Sequence, residues 1–233
     1  MKTEETAPKK SYGKIRSYFR ELSIVIIGVL VTLMITSMIG NWNRQRELKG
    51  MMHLISEELQ RNLLELEWTT YRWNEEQGAF KVLTQYGENW RQIPKETLEN
   101  YKQWIGSLPT LDVESDFYET LKSSTLAQEI KEKEMLPRLS ALYKRLAVVQ
   151  GQLERYSEQK SLVMTFILEN LPEQGAESWM SGEDPYTPFT IAVGDRGFRT
   201  FMITGGSIPT PGIFESLPLE IRETIGELEK YGY

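Results

Sequence analysis

Hydrophobic and polar positions divide this chain into three regimes. The first is an apolar run, Leu22 to Ile39, with no charge inside it. A bilayer core is about 30 Å thick and a helix needs roughly 20 apolar residues to cross it, so this run, flanked by Tyr18, Phe19 and Trp42, predicts a transmembrane helix over residues 21–42. Only a helix lets such a segment satisfy its backbone groups in lipid. The second regime is helical periodicity. Leu48, Met52, Ile55, Leu59, Leu66, Trp73, Phe80 and Leu83 predict a long helix over about residues 43–87. Leu139, Leu146, Leu153 and Ile167, with Leu142, Val149, Tyr156 and Val163, predict a second over about 136–171. The third regime, residues 172–217, is rich in Gly, Pro, Ser and Thr and reads as loop.

Neither long periodic stretch keeps a clean coiled-coil seam. Met52, Leu59, Leu66, Trp73 and Phe80 are each seven apart, but their companions pass from Leu48 and Ile55 to Asn62, Thr69 and Glu76. Lys160 and Asn170 interrupt the rows of the second stretch in the same way. We expect bundle helices packed antiparallel as an elongated hairpin, with the first also able to pair with another chain. Between them, Pro94 and Gly106 bound a short helix, and Ser115 and Ser124 are placed to cap two further turns. In the loop-rich segment, Phe189 to Val193 and Phe198 to Ile203 flank Gly194 to Gly197 as the arms of a possible β-hairpin, or the second arm is an irregular helix. Pro218 is expected to open a last helix over 218–231. The expected fold class is therefore mainly α, with one N-terminal transmembrane helix and a single helical domain over residues 43–233.

Charge adds an orientation. Residues 1–20 carry Lys2, Lys9, Lys10, Lys14, Arg16 and Arg20, against Arg44, Arg46 and Lys49 beyond the run, which favours a cytoplasmic tail and an exported body. A cleaved signal peptide is the competing reading, but the run is longer than the usual 7 to 15 residues and no small-x-small site precedes Asn41. Gly28, Thr32, Thr36 and Gly40 recur every fourth residue, a face on which a second helix can approach closely and accept threonine hydrogen bonds. Gly and Thr are also simply tolerated in membrane helices.

Candidate chemistry is mostly excluded. The net charge of −6 and pI near 5.1 argue against nucleic acid as a partner. With no cysteine there are no disulfides, thiolate nucleophiles or thiolate metal sites. His53 is the single histidine, which rules out a His-rich metal centre or paired Glu-x-x-His motifs, and Glu57, one turn later, is placed where it could pair with it. No phosphate loop or nucleophile elbow is present. No catalytic, cofactor-binding or metal-binding residue is assigned, and no cofactor is expected. Trp68, Trp73 and Trp104 belong to a concentration of aromatic rings that suits either core packing or a ligand or partner surface.

The juxtamembrane stretch resembles a group of bacterial single-pass membrane proteins, the domain of unknown function 6090 family. Glu21, Ile27-Gly28-Val29-Leu30, Leu33 and Asn41-Trp42-Asn43 carry the likeness, followed by Arg46-Glu47. Further on, Phe117 to Ser124 resembles the family's Tyr-x-x-Leu-x-x-Ser stretch and Leu142-Tyr143 its Leu-Tyr pair. The interval from Gly28 to Asn41 is about one turn longer than in that pattern. The resemblance implies an anchored helical ectodomain and supplies no activity. Together these readings lead us to expect a non-catalytic scaffold or interaction protein of the bacterial inner membrane, with a periplasmic body. Its partners would be the lipid bilayer and a second copy or another membrane or exported protein. The alternative is a sensor-like ectodomain that binds a small ligand near Trp68, Trp73 and Trp104 and signals through a partner.

Overall fold

A single helix, α1 (Tyr12–Tyr86), carries both the apolar run and the first amphipathic stretch in a computed structural model of the chain. The described residues are 12–170, 177, 191, 195–205, 208–210 and 212–232. At 1.5 Å per residue the 75 residues of α1 extend about 110 Å. The expected segments 21–42 and 43–87 are joined in this one unbroken helix, with no proline or glycine between Asn41 and Arg46 to stop it. The stretch from Arg20 is long and apolar enough to cross a membrane, and none of its most apolar window is buried. Burial begins at Leu48. The end of the body next to Arg44 is called basal here, and the end at Tyr86 distal.

Past Tyr86 a 3₁₀ turn leads to α2 (Lys95–Gly106), which starts at Pro94 as its sequence requires. Residues 107–115 are then extended and run back along α1 toward the base. There α3 (Asp116–Ser123) and a 3₁₀ turn (Thr125–Glu129) reach Arg44, whose guanidinium lies 3.3 Å from Glu129. Helix α4 (Met135–Glu169) restarts from this basal position. Its Tyr143 meets Glu58, and its Tyr156 and Lys160 meet Glu76, so α4 runs parallel to α1.

This corrects the antiparallel hairpin. At about 3.3 Å each the nine residues can reach up to about 30 Å, enough to return the chain to the base before α4 begins. The antiparallel neighbour of α1 is instead the last helix, α6 (Ile213–Lys230): Phe214 packs on Trp73, Arg222 pairs with Glu67, and Gly232 lies beside Lys49. Helix α6 begins five residues before Pro218, after Gly212 in the left-handed region at φ 74°. Pro218 sits in its second turn, where the missing N–H leaves one helical hydrogen bond unmade while the ring packs in the core.

Helix α5 (Arg196–Thr204) covers the distal end. Residues 198–203, one arm of the expected hairpin, are helical: Asp195 accepts from the Phe198 N–H at 2.7 Å, and Phe198, Phe201 and Met202 bury one face at i, i+3, i+4 spacing. The other arm, 189–193, falls largely outside the described residues. The fold is mainly helical, with no strand among the described residues. Leu48, Ile55, Leu59 and Leu66 of α1, Leu139, Leu146 and Leu153 of α4, and Leu217, Ile221 and Leu228 of α6 share one core.

Candidate functional site

Asn62, Thr69 and Glu76, the polar residues that spoil the seam of α1, are all buried and all hold the extended segment or its neighbours. Asn62 binds both backbone groups of Glu114, its Nδ2 donating to the carbonyl at 2.8 Å and its Oδ1 accepting from the N–H at 2.9 Å. Thr69 donates to the Thr110 carbonyl at 3.0 Å. At the level of Glu76, Lys160 donates to the Ser107 carbonyl at 2.5 Å. One helical heptad advances about 10.5 Å, and three or four extended residues advance about 10 to 13 Å, so one polar residue per heptad keeps step with the segment. These groups satisfy a backbone that has no strand or helix partner.

Glu76 and Lys160 form a buried ion pair, Nζ to Oε1 at 2.5 Å, with about 1–2 % of either side chain exposed. Tyr156 donates to the same Glu76 oxygen at 2.5 Å. Aromatic rings enclose the group: Trp73 meets Tyr156 edge-on at 4.8 Å, and Phe201 lies 5.2 Å from Tyr156. Burial pushes the Glu76 carboxyl above and the Lys160 ammonium below their ordinary values, each opposed by the other's charge. Burial and the adjacent carboxylate both raise the Tyr156 phenol. A Lys–Tyr–Glu triad is chemically suggestive, but this one is sealed from solvent and ties α1, α4 and the extended segment together.

Closer to the base, Glu58 accepts from the Tyr143 hydroxyl and, at 2.9 Å, from the Phe117 N–H. The second contact caps α3, replacing the side-chain cap that Ser115 does not make. Ser124 does cap its turn, accepting from Leu126 N–H at 3.2 Å. The Tyr143 ring stacks on Tyr118 with centroids 4.3 Å apart and planes 6° from parallel. In front of these rings, between α3 and α4, opens a cleft of about 360 Å³ reached by Ser115, Lys122, Ser140 and Lys144. Tyr118, Glu119, Lys122 and Tyr143 of its lining fall in the Phe117–Ser124 and Leu142-Tyr143 stretches, which in the sequence carry no sign of a cleft.

Trp68 and Trp73 do not come together. Trp73 is 7 % exposed and belongs to the core, whereas Trp68 is 54 % exposed and stacks on Tyr71 at 5.6 Å. Five residues turn a helix by about 500°, which sends the two indoles to different faces. The Trp104 side chain lies outside the described residues. On the apolar stretch, Gly28 and Gly40 face open space. Thr32 and Thr36 donate to the carbonyls of Gly28 and Thr32, both at 2.9 Å, so their hydroxyl protons are spent within the helix rather than held out for a partner. His53 lies 3.4 Å from Glu57 in an exposed helical pair, and no cluster of potential metal ligands occurs among the described residues.

The class defined by this geometry is a helical protein with, among the described residues, one candidate membrane-spanning helix that continues without a break into its body. No protein family, curated protein or solved structure matches the chain.

Proposed function

We propose that this protein is a non-catalytic scaffold or interaction protein, anchored in the bacterial inner membrane and self-associating along α1. In this reading residues 1–20 are cytoplasmic and the body is periplasmic, as the flanking charges and the likeness to the domain of unknown function 6090 family suggest. The observation that carries it is the uncovered face of α1. Gly28 and Leu64 are 36 residues apart, about ten turns, so the small-residue face of the apolar stretch continues in azimuth into Leu64, Trp68 and Tyr71. Those three are 67, 54 and 49 % exposed beside a core that buries the opposite face. A second copy, inserted in the same direction, would meet both parts of this face at once.

The native mass of the detergent-extracted protein tests the proposal. An oligomer, or a stoichiometric co-purifying protein, is expected. A monomer alone would refute it. Replacing Gly28 and Thr32 together with Leu should weaken a membrane two-hybrid signal, because larger side chains hold the helices apart.

A further inference from the structure

The cleft between α3 and α4 has the composition of a ligand site for a small oxyanion. Its back wall is fixed: Tyr118 and Tyr143 are 3 and 5 % exposed, stack face to face, and Tyr143 is tied to the buried Glu58. Its open side presents donors. Lys144 has no ion-pair partner among the described residues, and the hydroxyls of Ser115 and Ser140 make no hydrogen bond there. Lys122 reaches Glu119 at 3.2 Å across one helical turn, an exposed pair of little strength that a second anion can share. With Lys122, Lys144 and Glu119 as its charged lining, the cleft carries a net positive charge. Val113 and Ala147 supply apolar surface for the rest of a ligand, and about 360 Å³ lies within the range of small-molecule sites.

We propose that this cleft binds a small organic oxyanion, a carboxylate or phosphate, with Lys144 and Lys122 on its charge, Ser115 and Ser140 as hydroxyl donors and the Tyr118–Tyr143 pair as its floor. Glu58, which marks the level of the cleft, lies sixteen residues beyond Trp42 on α1, about 24 Å. A soluble ligand therefore suits the cleft and a lipid headgroup of the anchoring bilayer does not reach it. The inference does not depend on self-association.

The test uses the full-length protein in detergent, with malonate and inorganic phosphate as probes and sodium chloride of equal ionic strength as the reference. Amine labelling followed by mass spectrometry reads each lysine separately. At saturating probe we expect labelling of Lys144 to slow at least about threefold while exposed Lys133 is unchanged; each probe that binds should also raise the melting temperature saturably. Lys144→Gln should abolish the temperature shift and Lys131→Gln should keep it. Both positions are exposed, so both variants fold and a circular dichroism spectrum checks this. Equal slowing at Lys144 and Lys133, a shift undiminished in Lys144→Gln, or no effect of either probe beyond chloride would overturn the proposal.

Discussion

Glu76 and Lys160 each cost their helix an apolar residue, and each makes sense only through the other. In the sequence they are interruptions at seam positions, and nothing local pairs residue 76 with residue 160. Their meeting depends on the parallel register of α1 and α4, which no single helix specifies. Removing one partner strands the other: Lys160→Met should destabilise the body by about 3–5 kcal/mol in chemical denaturation followed by tryptophan fluorescence. Glu76→Gln combined with Lys160→Met should cost at least about 1 kcal/mol less than the sum of the single variants, because the stranded charge is gone. Two of the buried tyrosines, Tyr143 and Tyr156, predict an alkaline limit. Unfolded tyrosines ionise near pH 10, whereas burial first and the adjacent Glu58 or Glu76 next hold Tyr143 and Tyr156 protonated well above that. The folded state thus keeps protons that the unfolded state loses, and each tyrosine should remove about 1.4 kcal/mol of stability per pH unit above pH 10. Lys160 acts in the opposite sense only up to the ordinary lysine range near 10.4, so the slope is cleanest above about pH 10.5. Tyr143→Phe should lower the slope by about 1.4 kcal/mol per pH unit in melting curves.

At the scale of elements, the extended segment 107–115 decides the topology. The positions of α1 and α4 were legible from periodicity: the apolar row of α1 is buried from Leu48 to Leu83, and those of α4 from Leu139 to Tyr156, with Val163 half-buried beyond them. Direction was not, because a segment with no periodicity of its own returns the chain to the base and turns an expected antiparallel pair into a parallel one. The polar row that binds this segment was visible only as a decaying seam. Losing the Asn62 side chain removes both hydrogen bonds to Glu114, so Asn62→Ala should cost about 1–3 kcal/mol. Hydrogen exchange separates this from a general loosening: the Glu114 amide should exchange at least about tenfold faster, while the Phe117 amide, held by Glu58, should change little. Equal acceleration at both would show that the segment is not held residue by residue. The cleft was illegible for a related reason. Ser115, Lys122 and Lys144 are ordinary surface residues until α3 and α4 bring them to one opening.

For the whole molecule, the decisive property is that α1 has no hinge between its apolar stretch and its body. Any rotation of one is a rotation of the other, at about 100° per residue. Two inserted alanines between Asn43 and Arg44 would turn the face of Gly28, Thr32, Thr36 and Gly40 by about 200° relative to Leu64, Trp68 and Tyr71. Seven inserted residues would bring it back to within about 20°. If copies associate along the continuous face, a symmetric contact places Leu64 near Leu64 of the second copy. The absence of native cysteine makes Leu64→Cys a clean reporter. Disulfide formation between copies in membranes should be high in this variant, fall several-fold with the two-residue insertion, and recover with the seven-residue one. Body-only association would leave all three alike, because the insertion lies outside the body. Span-only association would lose the crosslink in the two-residue variant but keep a full membrane two-hybrid signal, since the span itself is unchanged. Loss of both signals in that variant, and return of both with seven residues, is the outcome that requires one face acting along the length of α1.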